Sequence, residues 1–445
     1  METILVKTAQ LLLSLSILVV LHEFGHFMFA RLFKTRVEKF YLFFDPWFSL
    51  FKVKKGDTEY GVGWLPLGGY VKISGMIDES MDKEAMKLPA KSWEFRSKPA
   101  WQRLLIMLGG VLMNFVFAMV IYIGILYAWG ESYLPTENLK YGIEVSEIGA
   151  EVGFQNGDKI LSVDNQYIEN FRKIVPTIVL ENAKTVQVER NGTKTDVDIS
   201  GEDLALMIKS KSIIDFRKTF DISVGKVAKK SPADKAGLKK GDVFETVDGQ
   251  SFEFYDEFSD YLKTKKGQNI ELGLLREGQK ISKEVEVDED GKIGFYASFN
   301  NIDFVEFKSI KYGFFESIPA GIKRGFETTK DYLKQFRLIF NKETEGYKSL
   351  GGFATIGNIF PGTWDWYSFW NMTAFISIIL AIMNLLPIPA LDGGHVMFLM
   401  GEIITGRKPG EKFMEYAQIT GMILLLALVL YANANDIIKM INGTF

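Results

Sequence analysis

"SILVVLHEFGHFMFARL", residues 16–32, decides how the rest of the chain is read. An apolar run on its way across a membrane takes up His22, Glu23 and His26. Ionisable side chains in a membrane helix are costly and mark function by default. On a helix His22 and His26, at i and i+4, share one face and lie roughly 6 Å apart along the axis. Two imidazoles at that spacing can grip one zinc ion, with the intervening Glu23 free to act as a general base. A catalytic zinc site also needs a third protein ligand and one position open to water.

The surrounding sequence supports a membrane reading. A helix needs about 20 apolar residues to cross a bilayer. Residues 8–30, 104–130, 367–391 and 416–435 reach that length; the last three hold no charged residue and the first holds only Glu23. The first run continues past the core of a signal peptide, shows no small-residue cleavage site and carries the histidine pair, so it reads as a retained span. The remainder resembles an ordinary soluble protein in composition. A net charge of −3 over 445 residues gives no sign of a nucleic-acid partner. With no cysteine in the chain, disulfide and thiolate chemistry are excluded. Metal ligands must therefore come from Asp, Glu and three histidines: His22, His26 and His395.

Lys and Arg close to span ends favour the cytoplasmic side. They cluster after the first span (Arg31, Lys34, Arg36, Lys39), before the second (Arg96, Lys98, Arg103) and between the last two (Arg407, Lys408, Lys412). This predicts an N-terminus outside, residues 131–365 outside, and the histidine pair in the cytoplasmic half of the membrane. A third ligand is expected at the same depth. "NLLPIPALDGGH", residues 384–395, interrupts the third apolar run with two prolines and two glycines. Irregular backbone at membrane depth is tolerated where it lines a cavity or is buried in protein. Asp392 is the carboxylate of that break. His395 is the competing ligand, and charge cost favours Asp392.

The outer segment contains a repeat. "GFQNGDKILSVDNQ" (153–166) and "GLKKGDVFETVDGQ" (237–250) align at an offset of 84 residues, with Asp158/Asp242 and Asp164/Asp248 in register. An offset of this size indicates duplicated small domains and not a solenoid. Each copy has Gly-Asp turn chemistry, an apolar strand and a second turn. "SPADKAGLKKGDVFETVDGQ" resembles a PDZ domain of the bacterial protease type, a fold that binds extended chains by strand addition.

The assembled motifs resemble the site-2 protease family of intramembrane zinc metalloproteases over the whole chain. H-E-x-G-H with N-x-x-P-x-P-x-L-D-G-G carries the likeness. It implies that His22, His26 and Asp392 bind Zn2+ and that Glu23 is the catalytic base, leaving His395 a supporting role. "GVLMN" (110–114) resembles the family's G-x-x-x-N motif, which with Asn384 implies that Asn114 and Asn384 hold the substrate backbone. "EYGVGWLPLGGYVKI" (59–73) resembles the family's membrane-re-entrant β-hairpin and implies substrate contacts at Gly68, Gly69 and Tyr70. One departure is Phe353 in "SLGGFATIG", where relatives have proline.

The expectation is therefore a polytopic α-helical membrane protein with four transmembrane helices, a re-entrant β-hairpin and two extracytoplasmic PDZ-like α+β domains. The division is 1–135 for the first two spans and the hairpin, 136–220 and 221–300 for the PDZ-like domains, 301–365 for membrane-surface linker helices, and 366–445 for the last two spans. Residues 303–340 mix aromatics with Lys and Arg, as a helix on the membrane face would, or a linker helix packed on the second PDZ-like domain. The resemblance implies a bacterial inner-membrane endopeptidase, with membrane lipid around it and single-pass transmembrane proteins (anti-sigma factors, remnant signal peptides) as substrates. A transporter would show inverted repeats among its spans, and a non-catalytic PDZ scaffold would not need Glu23 in a span.

Overall fold

The computed structural model describes residues 2–76, 89–210, 212–300, 305–339 and 350–442. Parts of the 301–365 linker thus lie outside the described residues. The chain divides into two units, one of residues 1–131, 311–336 and 348–445, the other of 132–310 and 337–347.

The first unit is helical and belongs in a membrane. Among the described residues four helices are long and apolar enough to cross one: Thr3–Leu32, Ala100–Trp129, Trp366–Leu385 and Lys412–Ile441. In chain order the unit's helices are α1 (Glu2–Leu32), α2 (Ala100–Trp129), α3 (Phe314–Ile339), α4 (Phe353–Asn358), α5 (Trp366–Leu385), α6 (Asp392–Thr405) and α7 (Glu411–Ile441). The third apolar run is not helical to residue 391. Leu386 leaves the helix at φ −59°, ψ 143° because Pro387 follows it, and the residue before a proline is pushed out of the α region. A new helix, α6, starts at Asp392.

Helix α2 is the centre of this unit. It buries Ile106, Met107, Ala118, Ile121 and Ile125, while its Val116 and Val120 stay exposed on an apolar face suited to lipid. Its contact with α1 is backbone on backbone. A Cβ at Gly109 would lie 2.5 Å from the Gly25 carbonyl oxygen, and one at Gly25 would strike the Gly109 carbonyl. Small residues permit such approach, and in lipid close packing is what holds helices together. The stretch read from sequence as a surface linker runs down the flank of α2. Phe314 meets Tyr127, Gly321 faces Ile123, Gly325 faces Met119 and Phe326 meets Phe115.

Between α1 and α2 lies a sheet made from strands β1 (Val37–Lys55) and β2 (Thr58–Ile73), paired antiparallel. Both strands are long enough to bend. Residues 39–42 pair on one side with 69–72 and on the other with 59–62, and 51–55 pair with 58–62. The segment 69–73 is therefore an edge.

The second unit repeats one design twice. In the first copy strands over 159–163, 185–190 and 193–198 form one sheet, and 143–145 pairs with 214–216. Ile143, Phe154, Ile160, Ile174, Val186 and Val188 form its core. In the second copy a five-stranded sheet runs in the order 279–286, 269–276, 243–247, 222–227, 295–299, over a separate core of Ile222, Val224, Phe244, Phe258 and Leu272. The residues that match in sequence make matching bonds. Arg190 forks onto Asp158 at 2.7 and 2.8 Å and donates to the Gly153 carbonyl; Arg276 does the same to Asp242 at 2.6 and 2.7 Å and to Gly237. Asp164 and Asp248 both adopt positive φ in the tight turns and accept from backbone N–H groups of the next strand.

Burial opposes the charge on Asp242, but the Arg276 guanidinium and the Lys239 N–H outweigh it and hold the carboxyl below its ordinary value. A depressed folded-state value contributes stability above the unfolded value, near about 4, and loses it as pH falls through the folded value. Acidification below about 4 should therefore open the second copy, and Asp242→Asn should already be destabilised at neutral pH with a flatter acid limb. Limited proteolysis across pH checks this; an Asp242→Asn chain with the wild-type acid profile would contradict it.

Candidate metal centre

Helix α1 presents His22 and His26 on its buried side, and α6 presents Asp392 in its first turn. The His22 and His26 Nε2 atoms are 3.3 Å apart. Asp392 Oδ2 lies 3.2 Å from the first and 3.3 Å from the second. Ligands bonded at about 2.0–2.1 Å to a tetrahedral ion stand about 3.3–3.4 Å from one another. The three donors thus already occupy three corners of such a tetrahedron. Oδ2 of Asp392 is buried and makes no hydrogen bond of acceptable geometry, although two nitrogens are close. A carboxylate oxygen left so is what a metal site requires and what a hydrogen-bonded cluster would not leave.

The far nitrogens are held. His26 Nδ1 lies 2.8 Å from the Ile106 carbonyl oxygen, to which it donates, leaving Nε2 free for a metal. His22 Nδ1 lies 3.4 Å from the side-chain amide nitrogen of Asn114, which is fully buried. Asn114 Oδ1 has no hydrogen bond. A half-turn of the amide exchanges its two ends, giving His22 the acceptor that a metal-bound imidazole needs at Nδ1. The Asn114 backbone is itself fixed because the Ser377 hydroxyl of α5 donates to its main-chain carbonyl at 2.7 Å.

Glycine makes room for the pair. A Cβ at Gly110 would stand 2.5 Å from His26 Nε2 and 2.6 Å from His22 Cε1. On the other flank, α6 is tied to α2 by a buried ion pair, Arg103 to Glu402 at 2.5 Å. Ala390, two residues before Asp392, sits at φ 106°, a strained value for a residue with a Cβ. Strain of this kind persists where surrounding structure over-determines it, and it clusters at functional sites.

A cavity of about 750 Å³ opens on the cluster. Its wall includes His22, Glu23, His26, Asp392 and His395, and on the opposite side Phe44, Asp45 and the edge strand from Gly69 to Ile73. The strand comes close because position 69 has no side chain: a Cβ there would be 2.7 Å from Val19 Cγ1 and 3.5 Å from Glu23 Cγ. The structure brings Gly69 and Tyr70 to the cavity. Gly68, Asn114 and Asn384 are not among its lining residues. His395 lines the cavity but does not join the three clustered donors. Sequence reasoning missed Asp45, which accepts from Tyr70 at 2.9 Å and Ser49 at 3.0 Å and so fixes the Tyr70 ring. It also missed Ala390. Neither belongs to a motif with a mechanism of its own.

A metal-ligand cluster buried between membrane helices, with a carboxylic acid beside it in a cavity, is the architecture of a membrane-embedded hydrolase. The comparison with known families is consistent with that class: the model of Peptidase family M50 matches residues 10–428, and the chain belongs to that family. It is 27% identical to the regulator of sigma E protease of Haemophilus influenzae, covering 96% of this chain and 98% of that one. It is 28% identical to the RseP protease of Salmonella typhimurium, covering 98% and 99%. A candidate zinc metalloprotease of Neisseria meningitidis is 31% identical, covering 96% and 97%.

Replacing Asn114 with Ala should weaken divalent-metal affinity about 10–100-fold, as loss of an outer hydrogen-bond partner does. Competition against a chromogenic chelator measures it. Unchanged affinity would mean that His22 is oriented without Asn114.

Proposed function

We propose that this peptidase is a zinc endopeptidase that cuts peptide bonds within the transmembrane segments of single-pass proteins. The observation that carries the proposal is the tetrahedral spacing of the His22, His26 and Asp392 donors inside the helical membrane unit. The names of the Neisseria, Haemophilus and Salmonella relatives, which refer to zinc and to sigma-E regulation, support the metal and suggest an anti-sigma factor as one substrate. Remnant signal peptides are a second class with the same chemistry. The basic residues after α1 and before α2 and α7 support an inner-membrane topology with the metal cluster in the cytoplasmic half.

A wound transmembrane helix hides its amides, so the substrate must be held extended. The edge segment 69–73 offers backbone groups beside the cluster, and adding a substrate strand to it is a known mode of peptide capture. This is the role proposed for the sheet as a membrane-re-entrant hairpin, with Gly68, Gly69 and Tyr70 at the substrate. The family likeness also assigns Asn384, at the end of α5 and outside the cavity lining, a part in that grip. Zinc supplies Lewis acidity toward the peptide carbonyl and toward water when bound. Glu23 accepts a proton from the attacking water and returns it to the leaving amine nitrogen, so that one carboxylate serves both halves of the reaction. His26, anchored by Ile106, and His22, against Asn114, keep their Nε2 atoms aimed at one point. The two repeated modules of the outer unit read as PDZ-like domains that screen substrates by size or bind the new C-terminus left by a first cleavage.

Glu23→Gln should retain zinc and lower turnover of a membrane-reconstituted single-pass substrate by about 10²–10⁴-fold. Asp392→Asn should lose zinc as well as activity. Elemental analysis beside a cleavage assay reads both. Normal turnover by the Glu23 variant would remove it as the base, and normal zinc content in the Asp392 variant would shift the ligand role to His395.

A further inference from the structure

At the end of α1 the chain builds a second polar cavity, of about 480 Å³, lined by Arg31, Lys34, Thr35, Arg36, Asp57 and Trp93. Three cations meet one carboxylate there. The Arg31 and Lys34 side chains make no hydrogen bond or ion pair among the described residues, and Arg36 reaches Asp57 only through one terminal nitrogen at 3.6 Å. The Arg36 Nε and the Thr35 hydroxyl are buried without a hydrogen-bond partner, and Thr35 is 1% exposed. Those two donors are sealed from solvent, so the groups that offer positive charge to the cavity are the exposed Arg31 and Lys34 side chains and the Arg36 guanidinium end, three cations against the single Asp57 carboxylate.

The cations are not there to cap the helix. Three of the last four carbonyls of α1 are already taken: Phe29 by the Phe33 N–H, Ala30 by the Thr35 N–H, Arg31 by the Lys34 N–H. Lys34 adopts φ 55° to close that turn, and the Lys98 ammonium takes its carbonyl. The Lys91 ammonium stands over the ring of Trp93, which lines the cavity.

The place in the fold narrows the ligand. The membrane-crossing part of α1 ends at Leu32, one residue from the cavity wall. Trp93 and Trp101 are 43% and 52% exposed at this level, as indoles are where lipid meets water. Met28 and Leu32, one turn apart on α1, are exposed and apolar. An anion with hydrocarbon attached could put its charge among the cations and its chains along that face.

We propose that this cavity is a phosphate site that holds the headgroup of an anionic phospholipid. The Lys34 ammonium, the Arg31 guanidinium and the terminal nitrogens of Arg36 donate to the phosphate oxygens. Arg36 immediately precedes β1, whose residues 39–42 carry the edge strand of the cavity at the metal cluster. A bound headgroup therefore pins the base of that sheet to α1. The inference concerns lipid binding alone and does not depend on the hydrolytic reading of the metal cluster.

The full-length protein in nanodiscs of phosphatidylcholine with a minority of phosphatidylglycerol provides the test. Native mass spectrometry counts the lipids retained after release. Wild type should retain phosphatidylglycerol in preference to phosphatidylcholine, and the Arg31→Gln/Lys34→Asn chain should lose that preference about tenfold. Both positions are exposed, and Asn suits the positive φ of Lys34. An unchanged melting temperature confirms that the variant folds. A parallel titration of detergent-solubilised wild type with inorganic phosphate and with short-chain phosphatidylglycerol needs no variant. Saturation by the lipid at concentrations where phosphate does not bind supports the headgroup. Equal binding of both makes it a free-phosphate site and overturns the lipid assignment. Binding of neither, or equal lipid preference in wild type and variant, overturns the site.

Discussion

Two helix backbones touch at Gly25 and Gly109, and the geometry of the candidate metal centre depends on that contact. In hydrocarbon no hydrophobic force pushes helices together, so close approach and buried polar bonds must do so. The approach sets the His26 imidazole within reach of the Ile106 carbonyl and the His22 imidazole against Asn114. It also leaves, over Gly110, the space that both rings occupy. A side chain at any of these glycines would part the helices and turn the imidazoles away from each other.

The third donor arrives by a different device. Pro387 ends α5, the chain turns through a strained Ala390, and Asp392 opens α6 with its carboxylate facing the two imidazoles. The Arg103–Glu402 pair then locks α6 to α2, so that all three donors are referred to one central helix. Buried ion pairs add little net stability against apolar packing, but they fix register. Register is what a three-cornered site requires. The sheet applies the same economy of space: Gly69 lets an edge strand lie against Glu23, and Asp45 holds the Tyr70 ring at the cavity wall.

The parts of this arrangement that a sequence shows are those whose chemistry is local. H-E-x-G-H names its own face of a helix, and L-D-G-G names a break with a carboxylate in it. The 84-residue repeat shows because Asp158 and Asp242 must each take an arginine fork, and Asp164 and Asp248 a backbone N–H of the next strand, in both copies. Other parts are not local. Gly109 and Gly110 look like any small residues in a span until Gly25 is placed opposite them. Gly321 and Gly325 give no sign that their helix runs along α2. Asn114 resembles a substrate contact by motif, yet lies behind His22 because α2 packs beneath it. The cation cavity at the end of α1 reads in sequence as nothing more than topology signals; what sets it apart is that its donors have no partners.

In the proposed site, three side chains from the first span and the break after the third hold one metal ion within the membrane unit. X-ray absorption at the zinc edge of the purified full-length protein tests it most directly. The expected result is a stoichiometric, sulfur-free first shell of about four nitrogen and oxygen neighbours near 2.0–2.1 Å, with imidazole scattering from two histidines. A protein that cleaves its substrate while holding no zinc, or whose zinc shell lacks imidazole, would contradict it.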